Sequence, residues 1–306
     1  MSDFSVKVSI VIPAYNNIES FKRALESIFI QKFQDYEVVV TDDSSNNDIK
    51  EFLASADFIK QGVATPCCKS RVKYFKNPIQ LGSPENWNES IRKANGEYIK
   101  ILHHDDWFAN ENALGKFVKL LDKHPESDFG YAKSVDIDIE TGKIKTRKAE
   151  KYVERLKKNC FELFLTNRIG APSVTIFRNG KNLFFDKNLK WVVDMDFYLQ
   201  CLINNSNLAF VNEVLINIGI SNTQVTKVCE NDQNIEIFEQ FYLYDKYKSY
   251  LQDKKYQKEL NKLIKKFKIQ DINILKDILS EDIEIPENIS KKLLKGDSWL
   301  KKIFRF

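Results

Sequence analysis

Two periodicities alternate along the first part of the chain. Val8 to Ile12 is an almost continuous apolar run that reads as a buried strand, and it stops at Pro13-Ala14-Tyr15-Asn16-Asn17, where proline cannot continue a central strand. Phe21, Ala24, Leu25, Ile28 and Phe29 then recur at helical spacing, which predicts an amphipathic helix over 18–31 packed on the sheet. Tyr36 to Thr41 is a second strand, and it ends in Asp42-Asp43-Ser44-Ser45-Asn46-Asn47-Asp48. Strand, helix and strand in so short a space imply a right-handed crossover and parallel strands, so the loops after both strands meet at one sheet edge.

The pattern continues with a helix near 47–55, an irregular stretch through Thr65-Pro66-Cys67-Cys68 and a short strand over 71–75. A helix over 84–95 follows, with Pro84 in its first turn, Trp87, Ile91 and Ala94 as its apolar stripe, and Gly96 suited to its C-terminal cap. Tyr98, Ile99, Ile101 and Leu102 have the density of an interior strand joining the first two, and the run breaks abruptly on His103-His104-Asp105-Asp106-Trp107-Phe108. Beyond it the pattern gives a helix over 111–122, strands within 128–147 around Glu140-Thr141-Gly142, a helix near 157–166 and a strand near 173–178. Lys190 to Leu199 enters a helix reaching about residue 204, strand-like runs follow at 208–211 and 214–220, and from about 231 the chain is predominantly helical. An α/β domain over 1–228 and a helical extension over 229–306 are the expected organisation.

Charge is unevenly distributed along the chain. The chain of 306 residues carries 47 basic and 43 acidic side chains, a balance that does not suggest nucleic acid, but residues 246–306 alone hold 16 Lys and Arg against 9 Asp and Glu. At the end of that basic tail Trp299, Leu300, Ile303, Phe304 and Phe306 interleave with Lys301, Lys302 and Arg305, a composition that suits an anionic membrane surface or, equally, a docked terminal helix. The five cysteines show no paired metal-ligand spacing and read as free thiols, and neither a signal-like start nor a membrane-length apolar run is present. The expected setting is cytoplasmic, soluble or peripheral on the inner face of the membrane.

Carboxylates cluster at three places: Asp42 and Asp43 after the second strand, Asp105 and Asp106 after a later one, and Asp194 at the start of a helix. Strand ends are where open α/β sheets bind ligands, and the adjacent pair Asp105 and Asp106 needs water, donors or a hard cation if desolvated. Taken alone, that junction reads either as such a site or as an exposed loop in which Asp106 or Asn110 caps the following helix. All three clusters together suit a metal-bound diphosphate and a separate general base.

In this arrangement the sequence resembles the inverting glycosyltransferases of family two, over roughly residues 6–226. The resemblance rests on Val-Ser-Ile-Val-Ile-Pro-Ala-Tyr-Asn at 8–16, Val-Val-Val-Thr-Asp-Asp-Ser-Ser at 38–45, Asn77, Gly82, Asn86-Trp87-Asn88, Ala94 to Ile99, His104-Asp105-Asp106-Trp107 and Asp194-Met195-Asp196, in that order. It implies a GT-A fold, a Rossmann-like mixed sheet with helices on both faces, here with a helical C-terminal extension. It also implies a nucleotide-sugar donor, UDP-linked, a glycan or lipid-linked acceptor in surface-polysaccharide synthesis, and Mn2+ or Mg2+.

Residue by residue, the resemblance implies that Pro13, Ala14 and Tyr15 border the base with Asn16 beside them, that Asp42 bonds base or ribose, and that Asp43 supports that loop or contacts the nucleoside. Asn77, Gly82, Asn86 and His104 complete the nucleotide set. Asp105 matches the last carboxylate of the family's Asp-x-Asp motif, with His104 or Asp106 as helpers, and Asp194 matches the base. Three departures accompany these matches: His103 replaces the motif's first carboxylate, Val193 replaces a Glu that often precedes the base, and Ser221 stands near a His that many relatives carry. The competing reading is a non-catalytic sugar-nucleotide-binding protein with this fold. At the level of single residues, His103 reads as an incidental loop residue, Trp87 and Trp191 as core or pocket rim with core favoured for Trp87, and Asp196 as a support of the helix start.

Overall fold

The computed structural model describes residues 4–55, 70–221 and 229–294. Cys67, Cys68 and the basic aromatic tail lie outside the described residues. Strand β1 (Val6–Ala14), helix α1 (Ile18–Phe29) and strand β2 (Tyr36–Asp42) form the expected crossover, with β1 and β2 parallel and Ala14 level with Asp42. Asn17 starts α1 by accepting a hydrogen bond from Ser20 N at 3.0 Å, and Phe21, Ala24, Leu25 and Ile28 are its buried face. Helix α2 (Asp48–Ala54), strand β3 (Val72–Lys76), helix α3 (Glu85–Arg92) and strand β4 (Gly96–Ile101) extend the same parallel unit, β3 beside β2 and β4 beside β1. Every residue of β2 is buried, as is all of β1 after its first two, so this part of the sheet is covered on both faces.

The second half of the sheet is mixed. After the short strand β5 (Trp107–Phe108) and helix α4 (Ala113–Lys123) come β6 (Phe129–Asp138), β7 (Ile144–Thr146), helix α5 (Val153–Lys158) and β8 (Thr175–Arg178). Helix α6 (Val193–Leu202) then leads into β9 (Leu208–Ile220). The strand order is β3-β2-β1-β4-β8-β6-β9-β5 with β7 on β6, and β8 runs antiparallel to both β4 and β6. Helices α7 (Gln233–Lys246), α8 (Lys254–Lys266) and α9 (Ile272–Ile278) follow, and one continuous apolar core runs from β1 through Ile237, Phe241, Leu260 and Leu275. Among the described residues no helix is long and apolar enough to cross a membrane.

Several local expectations are corrected. The helix placed near 157–166 is instead α5 followed by a 3-10 turn over Cys160–Phe164, because Asn159 is extended and its side chain accepts from Phe161 N, offering the backbone a competing partner. The runs at 208–211 and 214–220 are one strand, and the gap between them is a shift of register against β6, where Ala132 pairs Val211 and Lys133 pairs Val214. The N-cap position of α4 is held by Asn112 rather than by Asp106 or Asn110. Gly96 is not a helix cap but the first residue of β4; a Cβ there would meet the backbone N of Ser9 at 2.4 Å, so close approach of two strands is what requires glycine.

Candidate active site

Because β1, β2 and β4 are parallel neighbours, the loops leaving their C-terminal ends converge, and they line one cavity of about 1090 Å³. On one side Asp43 organises the wall. Its Oδ1 accepts from Asn77 Nδ2 at 2.9 Å and Leu81 N at 2.8 Å, and its Oδ2 accepts from Gly82 N at 2.7 Å. Asn77 also donates to Asn86 Oδ1 at 2.9 Å, while Asn86 Nδ2 donates to the carbonyls of Ala14 and Thr41. Asn16 joins the loops after β1 and β2 by accepting from Ser45 N at 3.0 Å, and the Tyr15 ring stands beside it, 45% exposed.

Asp42 points behind this wall. It is fully buried, accepting from Ser44 N at 2.9 Å, the Tyr74 hydroxyl at 2.7 Å and Lys76 Nζ at 3.1 Å, and it does not line the cavity. Ala14 and Asn77 also sit behind the surface, whereas Pro13, Tyr15, Asn16, Asp43, Gly82 and Asn86 reach it.

The end of β4 supplies the floor. One ligand atom each from His103, Asp105 and Asp106 lie within 4.8 Å of one another, so the third member of the acidic cluster is His103 and not His104, which lines the cavity nearby. His103 is no incidental residue: its backbone N donates to Ser173 Oγ at 3.0 Å, its ring packs 4.5 Å from that of Trp87, and its Nε2 is buried without a hydrogen-bond partner among the described residues. Burial pushes its imidazole down to about 4, which leaves a neutral ring able to offer a lone pair. Trp87 packs against the core and also lines the cavity.

Asp106 accepts from Gly219 N at 3.1 Å, and burial together with the neighbouring Asp105 charge raises its carboxyl well above the ordinary range. Behind it lies a fully buried Lys100, whose ammonium burial pushes down to about 7 and which donates to the carbonyls of Ile101 and Ser173. Gly219 on β9 passes so close that a Cβ would meet the Asp105 carbonyl oxygen at 2.4 Å. Arg23 of α1 stacks over Trp107 at 4.2 Å and donates to that same carbonyl at 3.2 Å. One neutral imidazole and two carboxylates around a buried, unpartnered nitrogen fit a divalent cation.

Across the cavity Asp194 sits in the first turn of α6 with its Oδ1 buried and unpartnered among the described residues. Burial pushes its carboxyl up to about 7, against the opposing pull of Arg147. Arg147 follows β7, is held by Asp136 Oδ1 at 2.8 Å, and lines the cavity with Asn167, Lys190, Trp191 and, from α8, Glu259 and Leu263. Ser221, at the end of β9, also reaches it. Asp196 points away from the cavity instead: it is fully buried and meets Lys246 Nζ at 2.8 Å and the Tyr247 hydroxyl at 2.9 Å.

The site therefore unites Asp43, Gly82, Asn86, His104, Asp105, Asp106 and Asp194 in one cavity, and adds His103, Trp87, Arg23 and Arg147. The first two stood inside motifs already singled out; nothing in the pattern marks the arginines.

A model of the family described as glycosyl transferase family 2 matches residues 9–187. That stretch includes the wall organised by Asp43 and the His103 cluster and ends before Asp194. An uncharacterized glycosyltransferase of Methanocaldococcus jannaschii is 29% identical over 218 residues, which cover 70% of this chain and 71% of that one. Among solved structures, S. aureus TarS 1–349 in complex with UDP-GlcNAc is similar at a TM-score of 0.62 and 16% identity, over 95% of this chain and 79% of that chain. The mannosyltransferase PcManGT from Pyrobaculum calidifontis, in complex with GDP-Man and Mn2+, is similar at 0.55 and 13%, over 79% and 66%. These structural likenesses speak for a shared GT-A fold.

Proposed function

This chain belongs to glycosyl transferase family 2, and from that premise we propose that it moves a hexose or N-acetylhexosamine, with inversion, from a UDP-sugar to a hydroxyl of a glycan or lipid-linked acceptor in surface-polysaccharide synthesis. The observation that carries the reading is one cavity shared by the donor-side loops, the His103, Asp105 and Asp106 cluster, and a desolvated carboxyl raised to about 7. A general base works best with a pKa near the operating pH, and burial has moved Asp194 there.

In this reading Tyr15 offers its exposed ring to the base, and Asp43, Gly82 and Asn86 form the surface under the ribose, stiffened from behind by Ala14, Asp42 and Asn77. His103, Asp105 and Asp106 would hold a divalent cation, Mn2+ or Mg2+, on the side of the donor diphosphate, and the imidazole favours Mn2+. A divalent cation there supplies charge neutralisation for the departing nucleoside diphosphate. Arg23 and His104 flank the same position. Asp194 takes the proton of the acceptor hydroxyl as that oxygen forms its bond to the anomeric carbon, while the bond from that carbon to the diphosphate oxygen breaks on the opposite face. Lys190, Trp191 and Asn167 line the side by which the acceptor reaches Asp194.

A panel of UDP-hexoses and UDP-N-acetylhexosamines, with and without Mn2+, tests this. At least one donor should raise the unfolding temperature only with the metal present, and the same donor should release UDP on turnover. Stabilisation by a donor without any release of UDP, with every acceptor class supplied, would favour the non-catalytic binding protein. The unpartnered Oδ1 of Asp194, among the described residues and facing the same cavity as the His103 cluster, favours catalysis.

A further inference from the structure

Helix α6 begins at Val193 without a side-chain cap from its own N-cap residue, Val192. The amides ahead of it are instead gathered by a carboxylate from α7. Glu239 is buried, its Oε1 accepts from Lys190 N at 2.9 Å, and its Oε2 accepts from Trp191 N at 2.7 Å and Val192 N at 3.0 Å. Three successive N–H groups turned to one anion form a concave binding nest, and a helix N-terminus adds its partial positive charge. The first turn of α6 is fixed a second time by Asp196, which meets Lys246 and Tyr247 at the far end of α7. Asp194 lies between these two attachments, two residues after the last clamped amide and two before Asp196.

Glu239 does not line the cavity, so it touches no substrate, and it lies well beyond the stretch 9–187 that the family model matches. We propose that Glu239 is the positioning residue for Asp194, and that the chain after residue 228 thereby forms part of the catalytic unit; this rests on Asp194 being the base. Its carboxylate sets where the entry to α6 runs, and hence where the unpartnered Oδ1 of Asp194 meets an acceptor hydroxyl. Trp191 and Lys190, whose side chains line the acceptor side of the cavity, are fixed by the same three bonds. A misplacement on the order of 1 Å at a reacting group costs about 10²-fold in rate, whereas donor binding on the far wall is independent of this loop.

The experiment is steady-state transfer by the full-length protein and two variants, with donor binding measured separately by calorimetry with Mn2+ and UDP. Glu239→Ala removes both acceptor oxygens, and with them all three hydrogen bonds, and should lower kcat by about 10- to 100-fold with donor KM and UDP affinity within about threefold of wild type. Glu239→Gln keeps an oxygen for Trp191 and Val192 and should fall between, with kcat lowered severalfold. If Glu239→Ala does not fold, Glu239→Gln alone decides. A kcat within about twofold of wild type in the folded variants, or a parallel loss of kcat and UDP affinity in both, would overturn the proposal. Absence of transfer by the wild-type protein itself would instead strike at the functional reading.

Discussion

Asp43 and Asp194 face the same cavity, but Asp43 accepts three hydrogen bonds from Asn77, Leu81 and Gly82, while Oδ1 of Asp194 is buried with none. The contrast extends to their neighbours. On the donor side the Asn77 amide donates to both Asp43 and Asn86, and the amide oxygens of Asn86 and Asn16 are engaged as acceptors. On the reaction side His103 Nε2 and Arg23 Nε share the orphaned state of Asp194. A satisfied polar network fixes one shape, whereas an unpartnered buried polar atom is a standing cost that a fold retains where a ligand or a reaction uses it. The donor side is thus prepared as a surface, and the reaction side as a set of open valences.

The largest test of that contrast is kinetic. Asp194→Asn keeps the volume and removes the proton acceptor, so kcat should fall by about 10²- to 10⁴-fold while the donor still binds. Steady-state kinetics beside UDP calorimetry would read it. A rate within a few-fold of wild type would exclude Asp194 as the base and send the search to the remaining groups on that wall.

Asp43→Ala should act in the opposite sense, on the fold before the chemistry. It leaves the Leu81 and Gly82 amides and the Asn77 side chain without their acceptor in a buried wall, which should cost about 3 kcal/mol in urea unfolding and weaken UDP binding. Unchanged stability would mean that water or the loop itself replaces the carboxylate, and that the wall is less organised than its hydrogen bonds indicate.

The donor side is also the more legible in the sequence, and for a physical reason. Strand ends such as Thr41-Asp42-Asp43 announce themselves by an apolar run breaking on carboxylates, and parallel topology does the rest by bringing those ends together. Orientation within a loop is not encoded that way: pattern alone offers no reason for Asp42 to turn inward to Tyr74 and Lys76 while Asp43 turns to the cavity. Helical spacing puts Trp87 on the sheet-facing stripe correctly, but it does not say that the sheet edge opens into a cavity there. His103 is easily set aside because it is not a carboxylate, although its neutral ring presents a nitrogen to the proposed cation site. The two-residue strand Trp107–Phe108 is too short to have a period, and the bonds from Glu239 go to backbone amides roughly fifty positions away, for which a sequence carries no signature.

The smallest effect is the most discriminating, because it gives the same Asp194 variant a gain where its activity is lost. The Asp194 carboxyl is raised from about 4 in the unfolded chain to about 7 in the fold, mainly by burial, with Arg147 pulling the other way. Below pH 4 it is protonated in both states and imposes no penalty. Between pH 4 and 7 the unfolded chain ionises while the folded one does not, so wild-type stability declines as pH rises, and above 7 the deficit is constant. An asparagine side chain at this position never ionises, so Asp194→Asn should be the more stable protein at pH 8. A full three-unit shift would correspond to about 4 kcal/mol, but part of the side chain meets the solvent-filled cavity, and screening there reduces the expected gain to about 1–2 kcal/mol. At pH 5 the gain should shrink to less than half of that, because most of the titration lies above it. Urea unfolding of both proteins at pH 5 and pH 8 cancels every other titrating group, which is common to the pair. A gap between them that does not change with pH would mean that Asp194 is ordinarily solvated, and the contrast between the two sides of the cavity would fail with it.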